Sequence, residues 1–184
     1  LDGRFSKAPD SWDYWLMVKP ILAVDIDGVI SLFGFEETPS GLGFRFELID
    51  GTPHVISVLA GERLQRLASS FELVWATGWQ DRANDHLPTI IGIGPLAVIE
   101  FDKAGPAPSR FASAHWKLGP LDSWAPDRPL AWIDDSFDDS CYEWAKEREA
   151  AGVPTLLVPT EPEIGLEEAQ AAALEIWAEE LTAS

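Results

Sequence analysis

Asp25 and Asp27 stand two residues apart in "AVDIDGVI", at the end of an apolar run and directly before Gly28. Paired carboxylates can attack an electrophile, exchange protons with it or hold a cation. A run such as "ILAV" reads as a strand buried on both faces, the pattern of a parallel sheet covered by helices, and charge has no place inside it. Residues two apart on a strand share a side, so both carboxylates are expected to lean toward one point near the strand's C-terminal edge. Gly28 then lets the backbone turn. A solvated turn is the bland alternative. A calcium loop would need more oxygen ligands after the glycine and a Glu at its end, and "VISLFGF" supplies none.

Two further apolar runs end in polar residues: "FELVWAT" at Thr77, and "PLAWI" at Asp134 and Asp135, with Asp139 one helical turn on. Lys117, in "HWKLG", precedes the acidic pair, and Lys103 in "EFDKAG" is the alternative lysine in the same interval. Thr77 alone reads as a cap or turn residue, and Asp134 and Asp135 could cap the helix that follows. In open parallel sheets ligands bind outside the carboxyl ends of the strands, so groups far apart in sequence can meet there.

The elements that would bring them together alternate. After the first strand, "FRFELIDGTPHVISV" reads as a hairpin turning at Asp50-Gly51. "AGERLQRLASS" reads as a helix, "FELVWAT" as a second strand, "DRANDHL" as a helix and "PLAVIEF" as a third strand. "SRFASAHWKL" is a helix or loop carrying Lys117. "PLAWI" is a fourth strand, "DDSCYEWAKEREAAG" a helix stopped by Gly152, "PTLLVP" a fifth strand, and "GLEEAQAAALEIWAEEL" a closing helix. Strands alternating with helices predict a doubly wound α/β domain with a mainly parallel five-stranded sheet and a hairpin flap after the first strand.

At 184 residues and 46% hydrophobic, with nine Trp, the chain suits one domain with a substantial core. A net charge of -18 argues against nucleic acid and anionic membrane surfaces as partners. A single cysteine, Cys141, excludes an internal disulfide and fits a reducing cytoplasm; its place inside a helix suggests packing. No apolar stretch approaches a membrane span and no start resembles a signal peptide. The only methionine is Met17, and "MVKPILAVDIDG" reads as an ordinary beginning, so residues 1–17 are expected to form an N-terminal extension to a domain over 18–184.

Taken together, "DIDGV", Thr77 in "VWATGW", Lys117 in "HWKLG" and "WIDDS" resemble, in order, the four motifs of the haloacid dehalogenase-like (HAD) phosphohydrolases. The resemblance spans about residues 18 to 181 and implies their Rossmann-like fold. A phosphate ester repels a carboxylate nucleophile, so the attack needs a divalent cation, and carboxylates favour Mg²⁺. The resemblance implies Asp25 as the nucleophile that becomes an aspartyl-phosphate and Asp27 as the acid that protonates the leaving oxygen and then activates water. It also implies Thr77 as a hydrogen-bond donor to the phosphoryl oxygens and Lys117 as the balancing cation. The metal would be held by Asp25, the backbone carbonyl of Asp27 and Asp135, with Asp134 and Asp139 in support. The implied activity is a Mg²⁺-dependent phosphatase on a phosphomonoester; phosphotransfer within the same fold, or a non-catalytic binding protein, are the alternatives.

Members of that family commonly carry a cap domain, and here the intervals after Asp27 and after Thr77 hold only the hairpin and core elements. The chain reads as capless, which suits a bulky phosphorylated substrate, with Phe33, Phe35 and the hairpin facing it. His54, His86 and His115 show no metal-ligand spacing and read as surface or packing residues. Trp75, Trp79, Trp116 and Trp132 flank the motifs and read as core rather than substrate platform.

Overall fold

The computed structural model describes residues 19–101 and 115–183. The expected extension at 1–17 and the alternative lysine, Lys103, lie outside them, as does most of "SRFASAHWKL".

β1 (Ile21–Val24) has all four residues buried and pairs in parallel on both sides, which is why it is apolar throughout. Its neighbours are β5 (Glu72–Trp75) and β7 (Leu130–Asp134); β6 (Ala97–Val98) and β8 (Thr155–Pro159) close the edges in the order β6-β5-β1-β7-β8. The protein is thus an α/β fold on a five-stranded parallel sheet with helices on both faces. Side chains alternate across it. Leu22, Val24, Leu73, Trp75, Ala131 and Ile133 pack on one face against α1 (Val58–Leu67), α2 (Arg82–Ile91) and α5 (Glu168–Ala183). Ile21, Ala23, Val74, Leu130 and Trp132 pack on the other against α3 (Leu118–Trp124) and α4 (Asp139–Ala150), where Cys141 is buried.

The flap is larger than a hairpin. β3 (Phe44–Ile49) and β4 (Thr52–Ser57) turn through Asp50 and Gly51, both with positive φ, the conformation a two-residue I′ turn requires. β2 (Ser31–Leu32), in a stretch to which the sequence assigned no element, pairs with β4 and makes a three-stranded antiparallel sheet in the order β2-β4-β3. Ion pairs from Asp50 to Arg82 and His86, and Arg45 donating to the Ile90 carbonyl, hold this sheet against α2.

Several boundaries differ from expectation, among them α3, which begins at Leu118 where "SRFASAHWKL" ends. The "PLAVIEF" strand shrinks to two residues because β5, its one neighbour, ends at Trp75, whose carbonyl takes the Ile99 N–H. α1 starts at Val58, because the Ser57 hydroxyl caps the Ala60 N–H and ends the hairpin strand there. α2 continues through Pro88 to Gly92, whose φ of 72° closes the helix. Among the described residues no helix is long and apolar enough to cross a membrane.

Candidate active site

The chain leaves β1 toward β5 but leaves β7 toward β8, so the C-terminal ends of β1 and β7 flank a crevice where ligands of parallel sheets bind. The register pairs Val24 with Ile133, and the Asp25 N–H donates to the Ile133 carbonyl at 3.0 Å. One residue further along, Asp25 and Asp134 are therefore neighbours, and by alternation both take the α3 face. Lys117, at the N-terminus of α3, answers them: its Nζ is 2.7 Å from Asp25 Oδ2 and 2.6 Å from Asp134 Oδ2. The exposures are 7% for Asp25, 3% for Lys117 and 1% for Asp134, so water offers this triad little solvation. Hydrogen bonds take its place. Asp25 Oδ1 accepts the Ile26 N–H; Asp134 Oδ2 accepts the Trp132 indole, and its Oδ1 accepts the Ser136 N–H.

Carboxylate oxygens of Asp25, Asp134 and Asp135 lie within 4.8 Å of one another. Three carboxylates face one ammonium, and the imbalance shows. Burial pushes the Asp25 carboxyl up to about 6, Lys117 opposing and Asp134 reinforcing the shift. Burial, then the Asp134 charge, also raises Asp135, with a smaller contribution from Asp27. A crowded oxygen-donor set short of positive charge fits a hard divalent cation. Both oxygens of Asp134 already accept hydrogen bonds, so its evident task is to hold Lys117. Asp139 is exposed in the first turn of α4 and is not among the three grouped carboxylates.

Gly28 comes close to this group. With φ of 71° it holds a conformation that side chains rarely adopt, and a Cβ there would sit 2.4 Å from Asp135 Cγ. Its N–H donates to the Ser31 carbonyl and its own carbonyl accepts from the buried Thr160 hydroxyl, so it has little room to move. Gly28→Ala is expected to cost about 1–3 kcal/mol through backbone strain and to push Asp135 aside. Thermal denaturation measures the first effect. A rise in melting temperature on adding a divalent cation would measure the second, and should shrink.

Asp27 does not follow Asp25 as strand alternation predicts. β1 ends at Val24, the chain bends, and Asp27 emerges exposed, bridged through its backbone to Ser31. Its Oδ2 accepts the Trp79 indole N–H at 2.9 Å. Thr77, fully buried two residues past the paired end of β5, accepts the Trp79 backbone N–H on its hydroxyl. The structure thus brings Asp25, Asp134, Asp135 and Lys117 into one group, with Asp27 beside Asp135.

Trp79 is the functional-looking residue that the sequence reading missed. Trp75 and Trp132 are core, as expected, but Trp79 is partly buried and its indole meets a carboxylate. Its position in "TGWQ", beyond the apolar run and behind a glycine, is the signal that sets it apart. His54 packs edge-on against Trp79 and bonds Ser31; His115 packs against Trp132; His86 lies beside Asp50. Phe33 and Phe35 line a groove of about 600 Å³ with Phe46, Leu48 and Val55. Phe46, Leu48 and Val55 lie on the flap face opposite the buried Ile49 and Ile56.

No family model and no curated protein matches the chain. Among solved structures it is similar to a probable YrbI family phosphatase from Pseudomonas syringae pv. phaseolica 1448a. The identity is 14%, the match covers 94% of this chain and 91% of that one, and the TM-score is 0.46.

Proposed function

We propose that this protein is a HAD-like, Mg²⁺-dependent phosphomonoesterase working through an aspartyl-phosphate on Asp25. The observation that carries the reading is the Lys117 ammonium shared by Asp25 and Asp134, with Asp135 alongside, at the switch point of the sheet. A structural ion pair has no use for the third carboxylate.

Asp25 and Asp135, with the backbone carbonyl of Asp27, would hold the Mg²⁺, which when bound supplies the charge that lets an anionic nucleophile meet an anionic ester. Asp25 attacks phosphorus while the bond to the leaving oxygen breaks, its electron pair staying on that oxygen. Asp27 gives its proton to the same oxygen. Water then attacks the phosphoryl group, Asp27 takes back a proton, and Asp25 is released with inorganic phosphate. Lys117 balances charge on Asp25, and Thr77 donates to the phosphoryl oxygens.

Hydrolysis of an aryl phosphate is expected to require Mg²⁺ and to stop when a chelator is added; equal rates with chelator defeat the proposal. Ca²⁺ should substitute poorly, since its looser coordination spoils in-line geometry. The pH dependence has a defined sign. The Asp25 carboxyl sits near 6 when folded against an ordinary 3.8, so the folded protein binds that proton more tightly. Its contribution to metal-free stability is full below 3.8 and is lost as pH rises to about 6. Mg²⁺ competes with the same proton. The Mg²⁺-induced rise in melting temperature should therefore be larger at pH 8 than at pH 5.

A further inference from the structure

Four contacts close a ring around Asp27. Its backbone bridges to Ser31; the Ser31 hydroxyl is 2.8 Å from His54 Nδ1; the His54 and Trp79 rings meet edge-on with centroids 4.8 Å apart; and the Trp79 indole N–H returns to Asp27 Oδ2 at 2.9 Å. The ring joins the end of β1, two strands of the flap and the turn after β5. An exposed aspartate would otherwise rotate freely about two bonds, and nothing in a solvated turn calls for this arrangement.

We propose that Trp79 is a positioning residue that holds the Asp27 carboxyl at one angle, with Oδ2 turned to the indole and Oδ1 turned away from it. An indole N–H only donates, so Oδ2, already accepting from it, is a poor site for a proton. Rotation of the carboxyl is stopped at one angle, and Oδ1 is the atom that gives its proton to the leaving oxygen and later takes one from water. This assignment rests on the phosphatase reading above. It adds a specific prediction, because orientation of an acid matters only when the leaving group needs a proton. The His54 ring packs edge-on against the indole, so the flap helps to hold the catalytic carboxylate.

The test compares Trp79→Phe with the unaltered protein on two Mg²⁺-supported substrates, an alkyl phosphate with a poor leaving group and 2,4-dinitrophenyl phosphate with a good one. Phe keeps an aromatic ring near His54 and removes the N–H together with the five-membered ring of the indole. Loss of a hydrogen bond to a charged group predicts a fall of about ten- to a hundredfold in kcat/KM for the alkyl ester. The dinitrophenyl ester should fall less than about threefold, because its leaving oxygen departs without a proton. A near-equal fall for both means that Trp79 only packs, and no fall for either means the contact is idle; each overturns the proposal. If the unaltered protein hydrolyses neither ester, the phosphatase reading itself is wrong and this inference goes with it. A second measurement reads the hydrogen bond itself rather than turnover. The proton resonance missing from the Trp79→Phe spectrum identifies the indole N–H in the unaltered protein. That resonance should move upfield and exchange faster with solvent in Asp27→Ala, and an unmoved resonance overturns the hydrogen bond on which the proposal stands.

Discussion

Asp25→Asn is expected to lower Mg²⁺-dependent turnover by about four to six orders of magnitude while leaving the fold intact, the scale on which loss of a covalent nucleophile is felt. The amide keeps the shape of the carboxylate and its contact with the Ile26 N–H, but it cannot attack phosphorus usefully. Asp27→Asn should differ in kind. It removes the proton donor and the base that activates water, but a good leaving group can still depart, so Asp25 becomes phosphorylated and the adduct accumulates. General acid-base assistance is typically worth about a hundred- to ten-thousand-fold, enough to separate formation of the intermediate from its breakdown. Rapid quench of Asp27→Asn, followed by peptide mass analysis, should place the phosphoryl group on the peptide containing Asp25. Phosphate on another residue, or full turnover by Asp25→Asn, defeats the assignment.

Lys117→Met should produce the largest loss of stability. Met roughly preserves volume and removes the charge that faces Asp25 and Asp134 at 2.7 and 2.6 Å. Deleting one partner of a buried pair leaves the other charge uncompensated, at a cost of about 3–5 kcal/mol. For a chain of this length that lowers the melting temperature by about 6–20 °C. The deficit should shrink at pH 5, where Asp25, with its carboxyl already pushed up to about 6, can be neutral. Adding Asp134→Asn should recover part of it. Urea unfolding of the single and double variants at both pH values measures these differences, and a Lys117→Met protein within about 1 kcal/mol of the original contradicts the buried triad.

Strand identity and the alternating α/β plan were legible because each depends on local pattern. "ILAV" and "LAWI" are apolar throughout, and "ELVW" and "TLLV" after their first residue, because both faces of the sheet are covered, and Asp50-Gly51 accepts the backbone angles that a tight hairpin turn demands. Asp25, Asp134 and Asp135 were legible for the same reason, since charge at the end of an apolar run stands out along the chain, whereas Thr77 and Lys117 were singled out only by their place in the order of motifs. Pairing between distant segments was not. That β1 lies between β5 and β7 makes Asp25 a neighbour of Asp134, although 109 residues separate them, and only sheet order decides that. β2 escaped notice because two residues have no period of their own, and they become a strand only when β4 supplies partners. Strand alternation misplaced Asp27, because the rule holds only while the chain stays in the sheet, and here it bends at Ile26. Its indole partner comes from the turn 52 residues on, a meeting that no local pattern encodes and that packing of the flap against α2 and the β5 turn brings about.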